Sequence, residues 1–509
     1  MAGLAYAPRV TERPEGRVLL RVLIVGGCLA VLGVRLWLVP GIALWYDETW
    51  TLMIVAQPDL AGFAREVWLD PNAPLYYLLL RLWTGIVGTG NLALLLPSLS
   101  CVIAAAALPL IWRVDGLSGA GRATWGALLF CWVPGILFSV EARCYGLLLL
   151  LATAGTIAFA DVLAVPSRRR AAIWCVIGAT AMLTHYFAVF PVAVQGVIYL
   201  ARHRRAAVRT WPALAAYLPV AAWGLYHLPR LLHWSAPDVA WYGRVTLATA
   251  WQFVAFTVGP LTPVFPAMVL AILIVAAWAG RRKTMDGAGA ALVWVAAAGG
   301  IALLVVMGVG TARPMLSPRY LTPVVPAILL GLVLIVERVP QPRIGFALLL
   351  APFLAFALKA GALSAFIAEQ SRSGWEDASD FIAPARPDRL VFAADTPGTS
   401  GADAGSLAQL GAAFLTRAGQ HPAVSSVTLA GEGDPHPRLI AATRGAVRPA
   451  ILWYYDRRRG VAARFPPEIA VRYPGSPGSP GSPGSPGRPG WRCWHRVSEA
   501  TGVMACVRR

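Results

Sequence analysis

The sequence has few charged residues for a chain of its length. Lys, Arg, Asp and Glu make up 14% of its 509 residues, whereas 57% are hydrophobic. Soluble domains carry about 25% charged residues, so this deficit argues against an ordinary soluble protein. Alternating segments of about 10 residues, typical of outer-membrane barrels, are also lacking. Because many apolar runs reach or approach the roughly 20 residues that cross a bilayer, the sequence predicts a polytopic helical membrane protein.

Acidic residues are scarcer than basic ones. The chain has 44 Lys and Arg against 25 Asp and Glu, a formal net charge of +19. Such an excess can indicate nucleic-acid binding. Here the basic residues fall in short loops between apolar runs, where they orient a membrane protein, and no basic patch is interleaved with aromatic residues. The sequence therefore predicts membrane lipids as partners and no nucleic acid.

Metal-binding cysteine patterns are lacking as well. The seven cysteines form no CxxC and no Cys/His spacing typical of a metal site. We predict no cofactor, and a divalent metal has no support from ligand spacing. Cys493 and Cys506 lie in a polar tail, where a disulfide and two free thiols are both open alternatives, because the sequence does not give their geometry.

The basic loops indicate one consistent threading. Arg9, Arg13 and Arg17 precede the first apolar run, which predicts an uncleaved signal anchor with a cytoplasmic N-terminus. The later basic loops then all fall on the cytoplasmic side if the chain crosses the membrane eleven times. The eleven predicted spans are 19–40, 92–112, 123–140, 145–164, 171–187, 188–201, 211–229, 251–279, 288–309, 320–337 and 344–366.

One further apolar run, 73–88, is short and contains Arg81. If it crossed the membrane, every later basic loop would move to the outside. We therefore predict an interfacial helix on the outer surface. The first external loop then runs from 41 to 91, and long loops in compact folds are usually functional.

An odd number of spans places the C-terminus outside. Residues 367–473 contain charged residues, strand-like runs and one helix-like run, which predict a small extracytoplasmic α/β domain. The repeat at 474–490 is rich in Pro, Gly and Ser and predicts an extended linker. Residues 491–509 follow as a predicted C-terminal hairpin. The predicted fold is thus an all-α membrane domain over 1–366 followed by a small α/β domain.

The threading gathers polar residues on the outer side. Asp47 and Glu48 stand between aromatic residues in "GIALWYDETW", where the first span ends. Acids beside a span are unusual and often functional. The other candidate site residues on this side are Asp70, Asn72, Glu141, Arg143, Tyr145, His185, Tyr186, Arg319 and Tyr320.

Each of these residues also has a structural explanation. The two acids of the YDE stretch could begin a surface helix, and Asp70 could cap one. Glu141 and Arg143 could form a local ion pair, His185 could be a hydrogen-bonded interface residue, and Arg319 could anchor a helix end against lipid headgroups. Together they indicate a site with carboxylates for proton abstraction and arginines for a phosphate.

The motifs that carry these residues resemble those of the GT-C class of membrane glycosyltransferases. The similar branch contains the protein O-mannosyltransferases, the lipid A aminoarabinose transferases and bacterial relatives that use polyprenyl-phosphate sugars. Two departures concern the loop at 72–74, which reads Asn-Ala-Pro where relatives have a basic residue and two prolines, and Glu141, where many relatives have Asp. The matching stretches are "YDE", "DPNAPLYYLLLRLW", "EARCYGLLLLL", "THYFAVFP", "SPRYLTPVVPAILL" and "GWEDASDFIA".

The resemblance implies an inverting sugar transfer at the outer face of the plasma membrane. The donor would be a polyprenyl-phosphate sugar, with mannose or another hexose or pentose, and the acceptor a hydroxyl of a glycan, glycolipid or protein. Asp47 matches the general base, and Glu48 its partner. Arg143 and Arg319 are the candidates for binding the leaving phosphate, and the other polar residues of the outer side are candidates for binding the substrates.

Two other classes of function are open. A transporter or flippase of lipid-linked precursors would place ionisable residues on broken helices near the bilayer midplane, often with internal repeats. Here the acids flank the spans, and the halves show no repeat. A non-catalytic sensor or scaffold could use the outer domain to bind cell-wall material, but that function does not require the YDE stretch.

Overall fold

The structure is a computed structural model in which residues 14–38, 42–236, 243–259, 264–281, 287–359, 374–395, 402–428, 436–456, 491–497 and 501–508 are described. The predicted linker at 474–490 and the end of the last predicted span, 360–366, lie outside the described residues.

The described part of the chain up to Leu358 is helical. Its α-helices are α1 (Pro14–Leu38), α2 (Tyr46–Val55), α3 (Leu60–Leu69), α4 (Leu75–Val87), α5 (Asn91–Ile111), α6 (Gly119–Cys131), α7 (Val133–Phe138), α8 (Tyr145–Ala164), α9 (Arg168–Thr184), α10 (Val189–His203), α11 (Arg205–Val208), α12 (Leu218–Trp234), α13 (Leu247–Val258), α14 (Val264–Gly280), α15 (Gly287–Ala312), α16 (Val325–Val336) and α17 (Pro342–Leu358). Short 3₁₀ helices at Tyr186–Ala188, Trp211–Tyr217 and Pro318–Val324 precede α10, α12 and α16.

Five helical segments of the described chain are long and apolar enough to cross a membrane. They are α1, α5, α8, α15 and the combined 3₁₀ and α-helical segment Pro318–Val336. Shorter apolar helices include α4, α13, α14 and α17. This composition identifies a multi-pass membrane protein, as the sequence predicts.

Two predicted continuous runs are each divided into two helices. The run at 123–140 is α6 followed by α7, with Trp132 between them. Pro134 stands at the start of α7, where its missing N–H is tolerated. The run at 251–279 contains the end of α13, at Val258, and most of α14, which begins at Val264. Apolar composition alone does not reveal such breaks, because it is the same on both sides of them.

Helix α4 is apolar on two faces. Its 13 residues span about 20 Å, less than the roughly 30 Å of a hydrocarbon core. Tyr76, Leu80 and Thr84 are buried against the protein, whereas Leu82 and Ile86 point outward. An outward apolar face on a short helix suits an interfacial position, which stays a prediction.

The rest of the described chain forms an α/β domain. Its elements are α18 (Trp375–Ile382), β1 (Arg389–Asp395), α19 (Ala404–Arg417), β2 (Ala423–Thr428), α20 (His436–Ala442), β3 (Pro449–Asp456), β4 (Trp491–Val497) and β5 (Thr501–Arg508). The sheet order is β2-β1-β3-β5-β4, with β1, β2 and β3 parallel and the last two strands antiparallel. Strands β1 and β3 are buried on both faces, which explains their nearly continuous apolar sequences, whereas the edge strand β2 is less buried and contains two serines.

The C-terminal hairpin is built into this sheet. Strand β5 pairs with β3 along its length, from Ala450 opposite Val507 to Asp456 opposite Thr501. Cys493 and Cys506 lie opposite each other on β4 and β5 and form a disulfide. Of the two alternatives that the sequence leaves open, the structure therefore contains the disulfide. The sequence places the hairpin beyond a linker, but its long-range pairing joins it to the α/β domain.

Both faces of the sheet are covered. Phe392 and Tyr454 belong to an apolar core that continues into the membrane helices, whereas Trp453 and Tyr455 pack on the opposite face with Leu439 of α20. The alternation of side chains along β3 sends neighbouring aromatic residues to opposite sides. One face of the α/β domain is therefore continuous with the helical domain, close to α2.

Candidate active site

The site begins at the first turn of α2. Trp45, just before the helix, has an extended backbone, and its N–H donates to Glu48 Oε2 at 2.9 Å. The other oxygen, Oε1, accepts the backbone N–H of Ala142 at 2.5 Å. Glu48 is 1% exposed. Its carboxylate therefore joins the start of α2 to the segment between α7 and α8.

Asp47 lies on a different side of the same turn. Its side chain is 20% exposed, and Arg319 Nη1 is 3.0 Å from its Oδ2. Arg143 Nη2 is 4.0 Å from the same oxygen, and Arg143 Nη1 donates to the backbone carbonyl of Asp47 at 3.1 Å. Two arginines that are distant in sequence thus converge on one accessible carboxylate.

The arginines are held by their own surroundings. Arg143 is buried between α7 and α8, and its Nη1 lies 3.5 Å from Thr51 Oγ1, one turn after Asp47. Arg319 stands at the start of the 3₁₀ helix Pro318–Val324, with its guanidinium 5.7 Å from the ring centres of Trp45 and Tyr145. Both cations are thereby oriented by aromatic and hydroxyl groups before any ligand binds.

Glu141 completes what we call the arginine cluster, formed by Asp47, Glu48, Glu141, Arg143 and Arg319. Its buried Oε2 has no hydrogen-bond partner in the described part of the chain. Burial raises the pKa of Glu141 to about 7; the charges of Arg319 and Arg143 oppose this shift, and that of Asp47 adds to it.

Burial and the neighbouring Glu141 raise the pKa of Glu48 to about 8, against the lowering effect of its two backbone donors and Arg143. Below about pH 7, where these pKa values favour the protonated form of both glutamates, two guanidinium groups face the single carboxylate of Asp47. The cluster can therefore accept an anion.

A group of ring side chains, Tyr145, His185 and Tyr320, lies beside Arg319. The rings of His185 and Tyr320 are 4.8 Å apart, and those of His185 and Tyr145 are 5.7 Å apart. His185 Nδ1 accepts the backbone N–H of Phe187 at 3.3 Å, which sets the direction of the imidazole. The structure thus brings Tyr145, His185 and Tyr320, which the sequence predicts from three separate segments, together next to the arginine cluster.

Three other predicted residues, Asp70, Asn72 and Tyr186, belong to a second cluster. Together with Tyr77 and His227 they form what we call the Asp70 cluster. Asp70 ends α3, and its Oδ1 accepts the backbone N–H of Asn72 at 2.8 Å, the Asn72 side chain at 2.7 Å and the Tyr77 hydroxyl at 3.1 Å. This arrangement is a side-chain turn that shapes the loop between α3 and α4.

Tyr186 lies on the other side of the Asp70 cluster. Its hydroxyl is 2.8 Å from His227 Nδ1 and accepts Trp223 Nε1 at 2.8 Å. His227 Nε2 is 2.9 Å from the carbonyl of Trp68, two residues before Asp70. His227 therefore joins α12 to the end of α3, and Tyr186 is hydrogen-bonded to α12 rather than to Asp47.

Sequence reasoning missed several residues of both clusters. Trp45 and Thr51 flank Asp47, and Thr51 stands at the i+4 position that a helical reading of "YDETWT" brings to the same face. Tyr77 and His227 lie within apolar runs, where nothing in the local pattern marks their long-range partners.

The described residues form no cluster of metal ligands. Over the described ranges, no three His, Cys, Asp or Glu side chains lie close enough together to hold a metal ion. The expectation that the protein works without a metal stays a prediction.

The chain is similar to known proteins in its fold but not in its sequence. No protein-family model matches the chain, and no curated protein matches it in sequence. Crystal structures of ArnT from Cupriavidus metallidurans, in the apo state and bound to undecaprenyl phosphate, are each similar over 97% of this chain and 98% of theirs, with a TM-score of 0.55 and 12% identity.

Arabinosyltransferase EmbB from Mycobacterium smegmatis is similar over 75% of this chain and 33% of its own at 16% identity, but its TM-score of 0.36 is too low for a comparison of folds. The likeness to ArnT covers nearly the whole of both chains. The expected fold class, a helical membrane domain followed by a small α/β domain, is therefore confirmed, and the fold is similar to that of ArnT.

Proposed function

We propose that this protein is an inverting glycosyltransferase that moves a sugar from a polyprenyl-phosphate donor to a hydroxyl acceptor at the outer face of the plasma membrane. One observation carries the proposal: Arg143 and Arg319 converge on the accessible Asp47, with Arg319 Nη1 3.0 Å and Arg143 Nη2 4.0 Å from one carboxylate oxygen. A base and two phosphate-binding cations are the groups that such a transfer requires.

The arginines suit the leaving group. Breaking the bond between the sugar and a polyprenyl phosphate leaves negative charge on phosphate oxygens, and oriented cations stabilise that charge as it develops. Guanidinium groups also match phosphate geometry with paired donors. The ArnT structure that holds undecaprenyl phosphate supports a donor of this lipid class.

The two adjacent acids receive different roles. Asp47 is partly exposed, whereas Glu48 is buried and accepts two backbone N–H groups. A general base must reach the hydroxyl proton, so Asp47 is the base. Glu48 instead holds the segment that carries Glu141 and Arg143, which makes it a positioning residue.

The reaction is a single displacement. The acceptor oxygen attacks the anomeric carbon as its proton passes to Asp47, and the bond between that carbon and the phosphate oxygen breaks. Polyprenyl phosphate leaves with the electron pair, and the configuration inverts. Because both arginines approach Oδ2 of Asp47, we assign proton acceptance to Oδ1. Mannose or another hexose or pentose, and a glycan, glycolipid or protein acceptor, fit the proposal.

An extracytoplasmic site agrees with two features of the chain. Basic loops such as 166–170 and 201–209 indicate the cytoplasmic side. The disulfide between Cys493 and Cys506 suits an oxidising compartment. The arginine cluster is built from loops and helix ends, unlike the midplane sites of transporters, so transport is not proposed.

Purified protein in lipid nanodiscs tests the proposal with polyprenyl-phosphate [14C]mannose and a matching pentose donor. Mixed cell-envelope glycans, glycolipids and proteins serve as acceptors. We expect label transfer by the unaltered protein and a rate about 100- to 10,000-fold lower for Asp47→Asn, because general-base help is lost. Asp59→Asn, which changes another acid of the same loop at a helix cap, is the matched control.

Two outcomes would overturn the proposal. Failure of the unaltered protein to consume any lipid-linked sugar in the presence of all acceptor fractions would remove the transferase function. Near-normal turnover by Asp47→Asn would remove Asp47 as the base and make Glu141, the other acid of the cluster with an unpaired oxygen, the next candidate.

A further inference from the structure

The residue before Asp47 is bound by the α/β domain. The ring of Tyr46 stacks on that of Tyr454 in β3, with centres 5.2 Å apart and planes at 7°. Trp375 of α18 lies 5.9 Å from Tyr46 and 5.1 Å from Tyr454. We call these three residues the aromatic clamp. It joins the first residue of α2 to a strand and a helix more than 300 residues away in sequence.

The clamp is part of a continuous interior. Trp375 and Tyr454 are buried in the apolar core that extends from the sheet into the membrane helices, and Tyr46 packs against that core. Stacked and tilted aromatic pairs have preferred geometries, so the clamp restricts the direction of the Tyr46 side chain as well as its distance.

The same domain also holds the other end of α2. Gln57, two residues after the helix, donates to Gln409 Oε1 of α19 at 2.6 Å. The α/β domain thus contacts α2 at both ends, 11 residues apart in sequence.

Three consecutive residues in the first turn of α2 are therefore held by three different parts of the protein. Tyr46 contacts the α/β domain, Asp47 contacts the two arginines, and Glu48 contacts the segment between α7 and α8. The position of the Asp47 carboxylate depends on all three attachments. A displacement of about 1 Å can lower the rate of a positioned reaction by about 100-fold.

Other contacts dock the α/β domain independently of the clamp. Ser406 Oγ donates to Glu66 Oε2 at 2.6 Å, and Arg65 Nη2 lies 3.1 Å from Asp403 Oδ1. Arg417 donates to Asn91 Oδ1 at 2.6 Å, which joins α19 to α5. Loss of one clamp ring should therefore alter α2 without releasing the domain.

We propose that the α/β domain positions the catalytic carboxylate through the aromatic clamp, with Tyr454 and Tyr46 as positioning residues. The proposal rests on the function proposed above for Asp47. It gives the outer domain a part in the chemistry of the membrane site, separate from any acceptor binding.

Neighbouring tyrosines of β3 provide a matched test. Tyr454 faces α2, whereas Tyr455 faces the opposite side of the sheet, where its ring stacks on His495 and its hydroxyl is 2.6 Å from Nε2 of that residue. Both are buried. Tyr454→Leu and Tyr455→Leu therefore remove similar rings from the same strand, but only the first change alters the clamp. Tyr454→Phe keeps the stacked ring, and Tyr46→Leu removes the clamp from the α2 side.

Two measurements are made on each variant in nanodiscs: kcat and donor KM for sugar transfer, and hydrogen exchange of the backbone amides of α2. For Tyr454→Leu and Tyr46→Leu we expect kcat to fall by about 100-fold, a donor KM near that of the unaltered protein, and faster exchange in α2. Tyr454→Phe, which keeps the ring, should retain the kcat of the unaltered protein. Tyr455→Leu should retain that kcat and the slow hydrogen exchange of the α2 amides.

Hydrogen exchange separates this proposal from the proposed function, because it is measured whether or not sugar is transferred. Unchanged exchange in α2 for both clamp variants would overturn the clamp even if activity fell. An equal loss of kcat in Tyr455→Leu would overturn it too, because sheet stability alone would then explain the effect. If Tyr454→Leu does not fold, Tyr46→Leu, which leaves the sheet intact, decides the question by the same two measurements.

Discussion

The arginine cluster and the Asp70 cluster both contain acids that the sequence places on the outer side, but they differ in how their polar groups are satisfied. In the arginine cluster, Arg143 Nε and Glu141 Oε2 are buried without a hydrogen-bond partner among the described residues. In the Asp70 cluster, one carboxylate oxygen of Asp70 accepts three donors, and His227 has a partner at each ring nitrogen.

Because Arg230 Nε beside the Asp70 cluster is also unpaired, the contrast between the clusters rests on their acids: Glu141 Oε2 has no partner among the described residues, whereas Asp70 Oδ1 accepts three donors. Buried polar groups in folded proteins are nearly always hydrogen-bonded, so an unpaired one requires an explanation such as a ligand or a catalytic role. The arginine cluster has such groups beside an accessible carboxylate. The Asp70 cluster instead uses its polar groups to hold the loop between α3 and α4 against α12.

The largest expected contrast is between an arginine of each region. Arg319→Ala removes a cation from Asp47, whereas Arg230→Ala removes a donor to the Leu69 carbonyl beside the Asp70 cluster. We expect Arg319→Ala to lower transfer by about 100-fold or more and to weaken binding of polyprenyl phosphate, since the charge acts on bound donor and leaving group alike. Arg230→Ala should change the transfer rate and the binding of polyprenyl phosphate much less. Transfer rates and donor titrations measure this, and equal losses would end the distinction between the clusters.

A smaller contrast is expected between two buried glutamates. Glu48→Gln leaves one acceptor oxygen for two backbone N–H groups, so one buried donor loses its partner at a cost of about 1–3 kcal/mol. In Glu66→Gln the partner is the Ser406 hydroxyl, which can rotate to donate to the amide oxygen or accept from the amide nitrogen. The glutamine can therefore keep a hydrogen bond to Ser406.

Thermal unfolding should show a lower Tm for Glu48→Gln than for Glu66→Gln. The rate of transfer by Glu48→Gln should lie between those of the unaltered protein and Asp47→Asn, because Glu48 positions the site without taking the proton. A Glu48→Gln protein as slow as Asp47→Asn would show that Glu48 takes part in proton transfer.

The pH dependence of stability provides a third contrast. The folded protein raises the pKa of Glu141 from 4.5 to about 7 and that of Glu48 to about 8, chiefly through burial. Above pH 4.5 the unfolded chain loses these protons while the folded chain keeps them, so the folded state binds more protons. Stability therefore falls as the pH rises from about 5 to 8.

Glu141→Gln should flatten part of this slope, because glutamine does not titrate. Ser139→Ala, which alters a buried hydroxyl near Glu141 and changes no titratable group, should keep the slope. Tm measured at intervals between pH 5 and 8 gives the comparison, and a variant slope identical to that of the unaltered protein would contradict the raised pKa of Glu141.

The smallest effect is expected in the Asp70 cluster. Tyr186→Phe removes the hydroxyl that joins Trp223 to His227, which should cost about 1 kcal/mol of stability and leave kcat nearly unchanged. Calorimetry and the transfer assay measure both quantities. A loss of transfer comparable to that of Arg319→Ala would instead place Tyr186 at the reacting groups.

The outcomes for individual residues show where sequence reasoning succeeds. Asp47 and Arg319 could be assigned to one side from apolar run lengths and basic loops alone, and the structure places them 3.0 Å apart. Glu48 is adjacent to Asp47 in sequence, yet one acid is accessible and the other is buried. Successive helical residues point about 100° apart, and the sequence does not say which direction leads to the interior.

The fold shows the same division. Helices α5, α8 and α15 could be predicted closely, because long apolar segments must satisfy their backbone hydrogen bonds internally in a membrane. The end of α13 inside the predicted run 251–279 was missed, although the sequence marks it with Gly259 and Pro260, because Gly commonly ends a helix and Pro does not continue one. The pairing of β5 with β3 could not be predicted from the sequence, because contacts across the whole domain determine which strands pair.

By itself, the sequence determined that this is a multi-pass helical membrane protein with polar residues gathered on one side, because hydrophobic length and loop charge act locally along the chain. Only the tertiary structure decided which of those residues meet. It placed Asp47 in an ion pair with Arg319 and Asp70 in a different hydrogen-bond network, closed the disulfide between Cys493 and Cys506, and brought Tyr454 onto Tyr46. These contacts join segments far apart in sequence, and their geometry depends on how helices and strands pack, which no local pattern contains.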